Sequence, residues 1–587
     1  MLNSAVVDTA YQREYTCGEQ WLQQHITDEA KRNSLYLKEV WHTDDWLLLN
    51  DSNRHAFVLV AAAAHWDKLY NPVLAWSIEN AYLQKPYQKD TVLMNYTEQL
   101  QQLSGEKGVD YSTLLPYHRQ KEQCPQLLGM LRWAQGAPYN QDTPLNEHGK
   151  HTKIGCVPVA TSQVLKYYAA KVNNGTSVHF KEADGKIYTF TFDSWQPNWE
   201  SMQNHYKKND TTATDVSSLM TMVGMGLNAR YKENVTSSKL TQVKPLLCHN
   251  FNFSNTMKTV YEQPDSVLLA LIYQDLDEGH PCIVAYKGHA FIADGYDGPF
   301  LHYNLGWGGV CNGWYQTVLS PKADTPKQCV LDHAVVGIVP GKAEEVSRNI
   351  ELKKPGTLAT LLTEDELCRI TRLRIVGKIN GEDLRWLRKM AGAFDAENML
   401  DRRWGQLTDL DLNDATIVRG KEPYLIGPAT GKWTSRMTMK VKIGRYSDSD
   451  TFIDRYELNK PMSEQEWKDF RSDIGEKQDG VNYTRDANGY VTAHYTTEND
   501  VVGYRMFYGC ESLQRLVLPA STTLIRATSL GCCTMLRQLA IPAQVENVHK
   551  NAIYNCHSLE KVVLLNPKTN VVKPNYQYCS PVFKTVY

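Results

Sequence analysis

Four cysteines, Cys510, Cys533, Cys556 and Cys579, stand 23 residues apart. In phase with the first three run Leu513, Leu536 and Leu559, then Leu516, Leu539 and Val562, then Leu518, Ile541 and Leu564. Pro519 and Pro542 follow in the same phase. The unit reads C-x-x-L-x-x-L-x-L-P, and its L-x-L alternates as a strand does. A unit this short cannot bury its apolar face alone, so copies must stack on one another. Stacking turns each equivalent position into a ladder. Four cysteines in one phase are then small buried residues, and regular repeat geometry keeps them as reduced thiols.

A period of 23 falls within the leucine-rich-repeat range. Leu373-Arg-Ile375 and Leu407-Thr-Asp-Leu-Asp-Leu412 read as degenerate earlier members. Lys353-Lys-Pro-Gly356 marks the boundary before this region. The chain has 587 residues, room for about three to five domains. With 63 Lys plus Arg against 65 Asp plus Glu, nothing points to nucleic acid or an anionic membrane surface. The longest apolar run, Ala56 to Ala64, is too short to span a bilayer. The N-terminus has neither a basic n-region nor an apolar h-region. The 13 cysteines include no CxxC pair, so a disulfide framework is a poor default.

Before the repeats, Glu19 to Lys38 reads as helical, and His55–Ala63 and Pro72–Ser77 as buried strands. Gln101 to Gln120 is polar and bears glycine, as an exposed linker does. Then comes a turn-rich stretch at Gly136-Ala-Pro-Tyr-Asn140. After Gly155-Cys156, Val157, Ala160, Val164 and Tyr168 recur at helical spacing, with Pro158 in the first turn, where a missing N–H costs nothing. Residues 280–340 read as successive strands punctuated by glycine.

Cys156 opens that helix, where unpaired N–H groups and the positive dipole end favour a thiolate. A thiolate is the nucleophile of a cysteine hydrolase; a buried core cysteine fits the same spot. His289 lies in Gly288-His-Ala-Phe-Ile-Ala-Asp294, and Asn304 in Phe300-Leu-His-Tyr-Asn-Leu-Gly-Trp-Gly-Gly309. A hairpin turning about Tyr296-Asp297 would set positions 289 and 304 opposite one another. The Asn amide could then orient the imidazole, as the third group of a triad does. A satisfied structural histidine is the alternative. The Gln135 amide could donate to a developing oxyanion together with the Cys156 backbone N–H, or be only a polar turn residue. Each feature is weak alone. Their order carries more: a Gln, a Cys opening a helix, a His 133 residues later and an Asn on the next strand. The papain-type arrangement places His and Asn about 130–150 residues after the Cys. His280 and His151 are lesser candidates for the base. No HExxH, no metal-ligand spacing and no nucleotide-binding glycine loop is present.

Gln135-Gly-Ala-Pro-Tyr-Asn140, Gly155-Cys-Val157 with Gln163 and Tyr167, His289-Ala-Phe with Asp294-Gly-Tyr296, and Asn304-x-Gly-Trp-Gly-Gly309 together resemble the streptopain family of bacterial cysteine peptidases, interpain and periodontain included. The resemblance covers about residues 120–340. It implies an α+β, papain-like fold with Cys156 and His289 as the reacting pair, Gln135 in the oxyanion hole and Asn304 orienting the His. Gly155, Gly288 and Trp307 are expected to border the substrate. There are two departures from the pattern. Leu305 stands where Trp is usual, and Pro158 and Val159 where small residues are usual.

The resemblance also implies an inhibitory prodomain over 1–110, a peptidase domain over 111–345 and a repeat domain over 350–587. The repeats resemble the BspA-like leucine-rich kind. The expected protein is a secreted or surface (or periplasmic) cysteine endopeptidase made as a zymogen and acting on proteins or peptides. It would need no metal or organic cofactor, and no transmembrane segment is expected. Its repeats would bind a host or cell-surface protein, or else serve as a stabilising C-terminal cap with no partner. The alternative is a catalytically silent surface adhesin that uses only the repeats; Leu305 is its best support.

Overall fold

The computed structural model describes residues 9–82, 96–101, 117–317, 331–393, 405–427, 440–443, 453–457, 461–474, 480–566, 570–571 and 579–586, with short gaps at 54, 98, 182–185, 233–234, 262–264, 287, 332, 343, 550 and 581. Most of the 101–120 linker lies outside the described residues. The chain divides into two compact units. One comprises Met1–Val178, Phe190–Val243 and Met257–Pro340; the other comprises His179–Thr189, Lys244–Thr256 and Gly341–Tyr587.

The first unit begins with helix α1 (Gln12–His25), a short helix α2 (Glu29–Asn33) and strands β1 (Leu37–His42), β2 (Trp46–Asp51), β3 (Phe57–Ala61) and β4 (Val73–Ser77). The Glu19–Lys38 helical pattern is thus broken: helix ends at His25 and residues from Leu37 are strand. Both apolar runs do form strands. Every residue of β3 and β4 is buried, as a strand covered on both faces requires. Helix α1 lies close on β3: a Cβ at Gly18 would come within 2.8 Å of Val58.

Strand β5 (Gln123–Cys124) follows, then helix α3 (Cys156–Tyr167) and a separate two-stranded ribbon, β6 (Thr176–Lys181) with β7 (Ile187–Phe192). Helices α4 (Thr214–Gly226) and α5 (Asp265–Asp277) come next. Interleaved with them are β8 (Lys258–Tyr261), β9 (Cys282–Tyr286), β10 (His289–Asp297), β11 (Phe300–Asn304), β12 (Gly313–Gln316) and β13 (His333–Val336). These strands join one antiparallel sheet in the order β1-β2-β3-β4-β12-β11-β10-β9-β13-β8, with β5 beside β10. Helices packed on an antiparallel sheet are the α+β arrangement expected. The four N-terminal strands are continuous with the rest through β4 and β12, where Trp314 pairs with Trp76 and Tyr315 with Ala75. The two indoles stack with centroids 5.7 Å apart. Gly313 is required at that seam, since a Cβ there would lie 2.6 Å from the Trp76 carbonyl oxygen.

The last described turns of the linker are tied down within this unit. The Asp277 carboxylate accepts from the Tyr117 hydroxyl at 2.7 Å and the Gln120 N–H at 2.9 Å. Arg119 lies over the Tyr273 and Tyr296 rings.

In the second unit, β14 (Ser347–Leu352), β15 (Arg372–Ile379) and β16 (Asp409–Asp411) lead a parallel sheet. It continues through Arg515–Val517, Gln538–Ile541, Lys561–Leu564 and Lys584–Val586. The register steps by one repeat at a time: Leu516 pairs with Leu539, and Leu539 with Val562. Both degenerate fragments supply strands to this sheet. A second parallel line, Val501–Val502, Leu524–Ile525, Asn547–Val548 and Asn570–Val571, keeps the same period. The phased Leu, Ile and Val side chains are buried in one core with Cys510, Cys533 and Cys556. The ladder is made by hydrogen bonds: the Cys533 thiol donates to the Phe507 carbonyl at 3.0 Å and the Cys556 thiol to that of Leu530 at 3.1 Å. The described cysteines are all free thiols.

Candidate active site

Helix α3 starts abruptly because Gly155 adopts φ +95°, a conformation open mainly to glycine. Its Cα also faces Thr236, whose carbonyl oxygen and methyl would each lie 3.1 Å from an added Cβ. Cys156 is therefore the first residue of a helix that is buried from Val157 through Leu165. Backbone N–H groups of Ala290 and Val157 point at its sulfur and stabilise the thiolate. Burial outweighs them and pushes the thiol up.

His289 begins β10, directly before Ala290, so the thiol and imidazole come from adjoining elements. Its partner across β9 is Tyr286. The imidazole Nε2 lies 3.0 Å from the Leu305 carbonyl oxygen. A carbonyl only accepts, so Nε2 carries the proton and Nδ1 is left with a free lone pair. The Trp307 ring stacks on the imidazole with centroids 4.6 Å apart and planes 24° from parallel. Burial pushes this imidazole down to about 4, while the Leu305 carbonyl acts in the opposite sense. Thiol and imidazole are thus both held toward neutrality at neutral pH.

The expected pairing of Asn304 with His289 does not occur. The hairpin turns at Gly298-Pro299, with Asp297 opposite Phe300, and its register shifts between Ala293 and Gly295. Asn304 falls opposite Ile292, three residues from the expected partner and on the other face of the sheet. Its amide nitrogen donates instead to the Leu131 carbonyl at 2.7 Å, and its oxygen accepts the Gly306 N–H at 3.2 Å. The atom that holds the imidazole is the Leu305 carbonyl oxygen. No side-chain pattern announces a main-chain acceptor, which is why residue types alone missed it. A second missed group is Asn312, buried, whose Oδ1 accepts the Leu305 N–H at 3.0 Å.

Gln135 is half-buried, in a segment that bridges the two halves of the site. Its carbonyl accepts the Ile154 N–H, two residues before Cys156, at 3.0 Å. Two residues earlier, the Trp133 carbonyl accepts the Gly308 N–H at 3.0 Å. The segment is also fixed from the N-terminal side: Arg132 pairs with Glu79 at 3.0 Å, and Gly309 leaves no room for a Cβ beside Arg132 and Asn80. Gly288, at φ +86°, is exposed at the turn before His289. Of the other histidines, His280 is bonded to the Tyr168 hydroxyl at 2.9 Å and His151 to the Thr143 carbonyl at 2.7 Å.

Residues 133–315, which hold every group of this site, match the model of the peptidase C10 family. This stretch is similar to the peptidase C10 family. Residues 492–582 match the BspA type leucine rich repeat region in six copies. The chain is 29% identical over 226 residues to streptopain of Streptococcus pyogenes, covering 33% of this chain and 55% of that one. It is 27% identical over 211 residues to the thiol protease/hemagglutinin PrtT of Porphyromonas gingivalis, covering 32% of this chain and 23% of that one. The chain thus spans about half the length of the streptopain relatives it matches. Among solved structures, it resembles a Prevotella intermedia prointerpain A fragment with a TM-score of 0.43 and 21% identity, over 52% of this chain and 99% of that one. Active interpain A of the same organism gives 0.32 and 25%, over 38% and 96%. Among the described residues, no helix is long and apolar enough to cross a membrane.

Proposed function

We propose that the chain is a cysteine endopeptidase made as a zymogen. The observation that carries this reading is the setting of Cys156: a thiol at a helix N-terminus, held by the N–H of Ala290, whose chain neighbour is a histidine with Nδ1 as the free base. In the reaction, Nδ1 of His289 takes the thiol proton as the sulfur attacks the scissile carbonyl. The Gln135 amide and the Cys156 N–H receive the oxyanion. The imidazolium, steadied by the Leu305 carbonyl, gives its proton to the leaving amine. It then activates the water that releases the acyl group. Gly155, Gly288 and Trp307 border the substrate chain.

Residues 1–110 act as the inhibitory prodomain, 111–345 as the peptidase and 350–587 as the repeat domain. The continuity of β4 with β12 and the Glu79–Arg132 pair support an N-terminal region that holds the site closed. The Asp277 contacts of Tyr117 and Gln120 favour a cut before Tyr117, with residues from 117 onward kept by the mature enzyme. The relatives support a secreted or surface location, and the repeats a protein-binding role.

The test is mass spectrometry of wild type and Cys156→Ala after incubation with reductant and a thiol-reactive peptidyl epoxide. Loss of an N-terminal piece of about 110 residues and one adduct on Cys156, with neither in the variant, is expected. If wild type stays intact and unlabelled even after treatment with an activating protease, the reading is wrong.

A further inference from the structure

We infer that Asn312 is a positioning residue for His289, acting through the backbone of Leu305. It is 4% exposed and stands four residues beyond the Trp307-Gly308 pair, where no role follows from its type. Three hydrogen bonds make the argument. The Asn312 Oδ1 accepts the Leu305 N–H at 3.0 Å, which fixes the peptide entering Leu305. The Asn304 Oδ1 accepts the Gly306 N–H at 3.2 Å, which fixes the peptide leaving it. That second peptide carries the carbonyl that meets the imidazole Nε2 at 3.0 Å.

Leu305 is thus gripped on both sides, and its carbonyl has one direction in which to point. A side-chain amide can orient a histidine directly; here a peptide does so, and two asparagines hold the peptide still. The loop needs this help. Gly306, Gly308 and Gly309 all have positive φ, so the backbone beyond Leu305 has more conformational freedom than an ordinary strand end. Without Asn312 the Leu305 N–H loses its acceptor in a buried place, and the cheapest remedy is for that peptide to rotate. Rotating that peptide changes the φ of Leu305, which turns the next peptide in its wake and moves its carbonyl off Nε2. The ring then loses the contact that fixes its tautomer and its orientation. The requirement on residue 312 is one acceptor oxygen at the Oδ1 position; its NH2 group is not needed.

This inference rests on the reading of Cys156 and His289 as a reacting pair, and the experiment separates the two. Asn312→Leu removes the acceptor at similar volume; Asn312→Asp keeps it. Both are made in the full chain. The first readout is the proton NMR signal of the hydrogen-bonded His289 Nε2–H in histidine-labelled protein carrying Cys156→Ala, assigned by its loss in His289→Gln. It needs no peptidase activity. The second is kcat and KM on a peptide substrate after activation. The signal should persist in Asn312→Asp and vanish in Asn312→Leu. In parallel, kcat should fall at least tenfold in Asn312→Leu with KM little changed, and recover in Asn312→Asp. A folded Asn312→Leu protein that keeps the signal and kcat would overturn the inference. If Asn312→Leu does not fold, the Asp variant decides: a folded Asn312→Asp protein that loses the signal shows that the acceptor is not what matters. A wild type that shows the signal yet never cleaves or labels would sink the peptidase reading and leave the positioning contact standing.

Discussion

Acidification should destabilise the unit that holds His289, by an amount the structure sets. The imidazole is pushed down to about 4 by burial, against 6.5 in an unfolded chain. Above pH 6.5 both states are neutral and the group contributes nothing to the pH dependence. Between pH 6.5 and 4 the unfolded chain binds the proton and the folded one does not, so stability falls as pH falls. Below about pH 4 both are protonated and the loss is complete. A gap of about 2.5 pH units corresponds to roughly 3 kcal/mol in all, with about 2.5 kcal/mol of it gone by about pH 4.5. The assay compares Cys156→Ala with Cys156→Ala/His289→Gln, so that self-cleavage cannot intervene. Urea unfolding at pH 7.5 and pH 4.5 is followed by hydrogen exchange of α3, which reports on this unit alone. The Gln side chain can still donate to the Leu305 carbonyl but does not titrate. The double variant should lose about 2.5 kcal/mol less than its parent over that range. Equal losses in the two proteins would refute the claim that His289 is held neutral by burial.

Further outcomes can be checked in the same preparations. Gly155→Ala must bear φ +95° and a contact 3.1 Å from the Thr236 carbonyl, so it should cost about 1–2 kcal/mol and slow epoxide labelling of Cys156 by tenfold or more; wild-type labelling would contradict the geometry. Glu79→Ala removes the partner of Arg132 and should speed release of the N-terminal region, seen as a shorter lag on gels. Leu539→Ala, fully inside the repeat core, should lower repeat stability by about 2–5 kcal/mol in denaturant. The hydrogen-bonded Cys556 thiol, and then burial, push Cys533 well above an ordinary thiol. It should therefore stay unreacted with a soluble alkylating agent until the repeats unfold, as mass spectrometry would show.

The repeats were the most legible part of the chain. A phased Leu or Cys reports the same burial in each copy, so three weak signals become one strong one. Helix α3 was legible for a similar reason, since its apolar spacing and Pro158 agree on where it starts. The β10–β11 register was not. Placing a turn by symmetry assumes unbroken pairing, whereas Pro299 sets the turn two residues later and a bulge follows at Gly295. That bulge answers to a distant segment: a Cβ at Gly295 would stand 2.9 Å from the Cys124 carbonyl oxygen of β5, a contact that local sequence cannot reveal. The same limit hid the Leu305 carbonyl and left Asn312 looking like a loop residue.

On the proposed activation, release of the N-terminal strands would change the β4–β12 seam. While β4 is in place, the backbone of Trp314 and Tyr315 is paired on both sides. Removing residues 1–110 turns β12 into an edge strand, with a row of bare N–H and C=O groups and an uncovered indole beside them. Such an edge is a template for another chain. An extended polypeptide that settled there as a new outer strand would occupy the place the prodomain left. Under that proposal, activation would leave an unpaired strand along the side of the sheet.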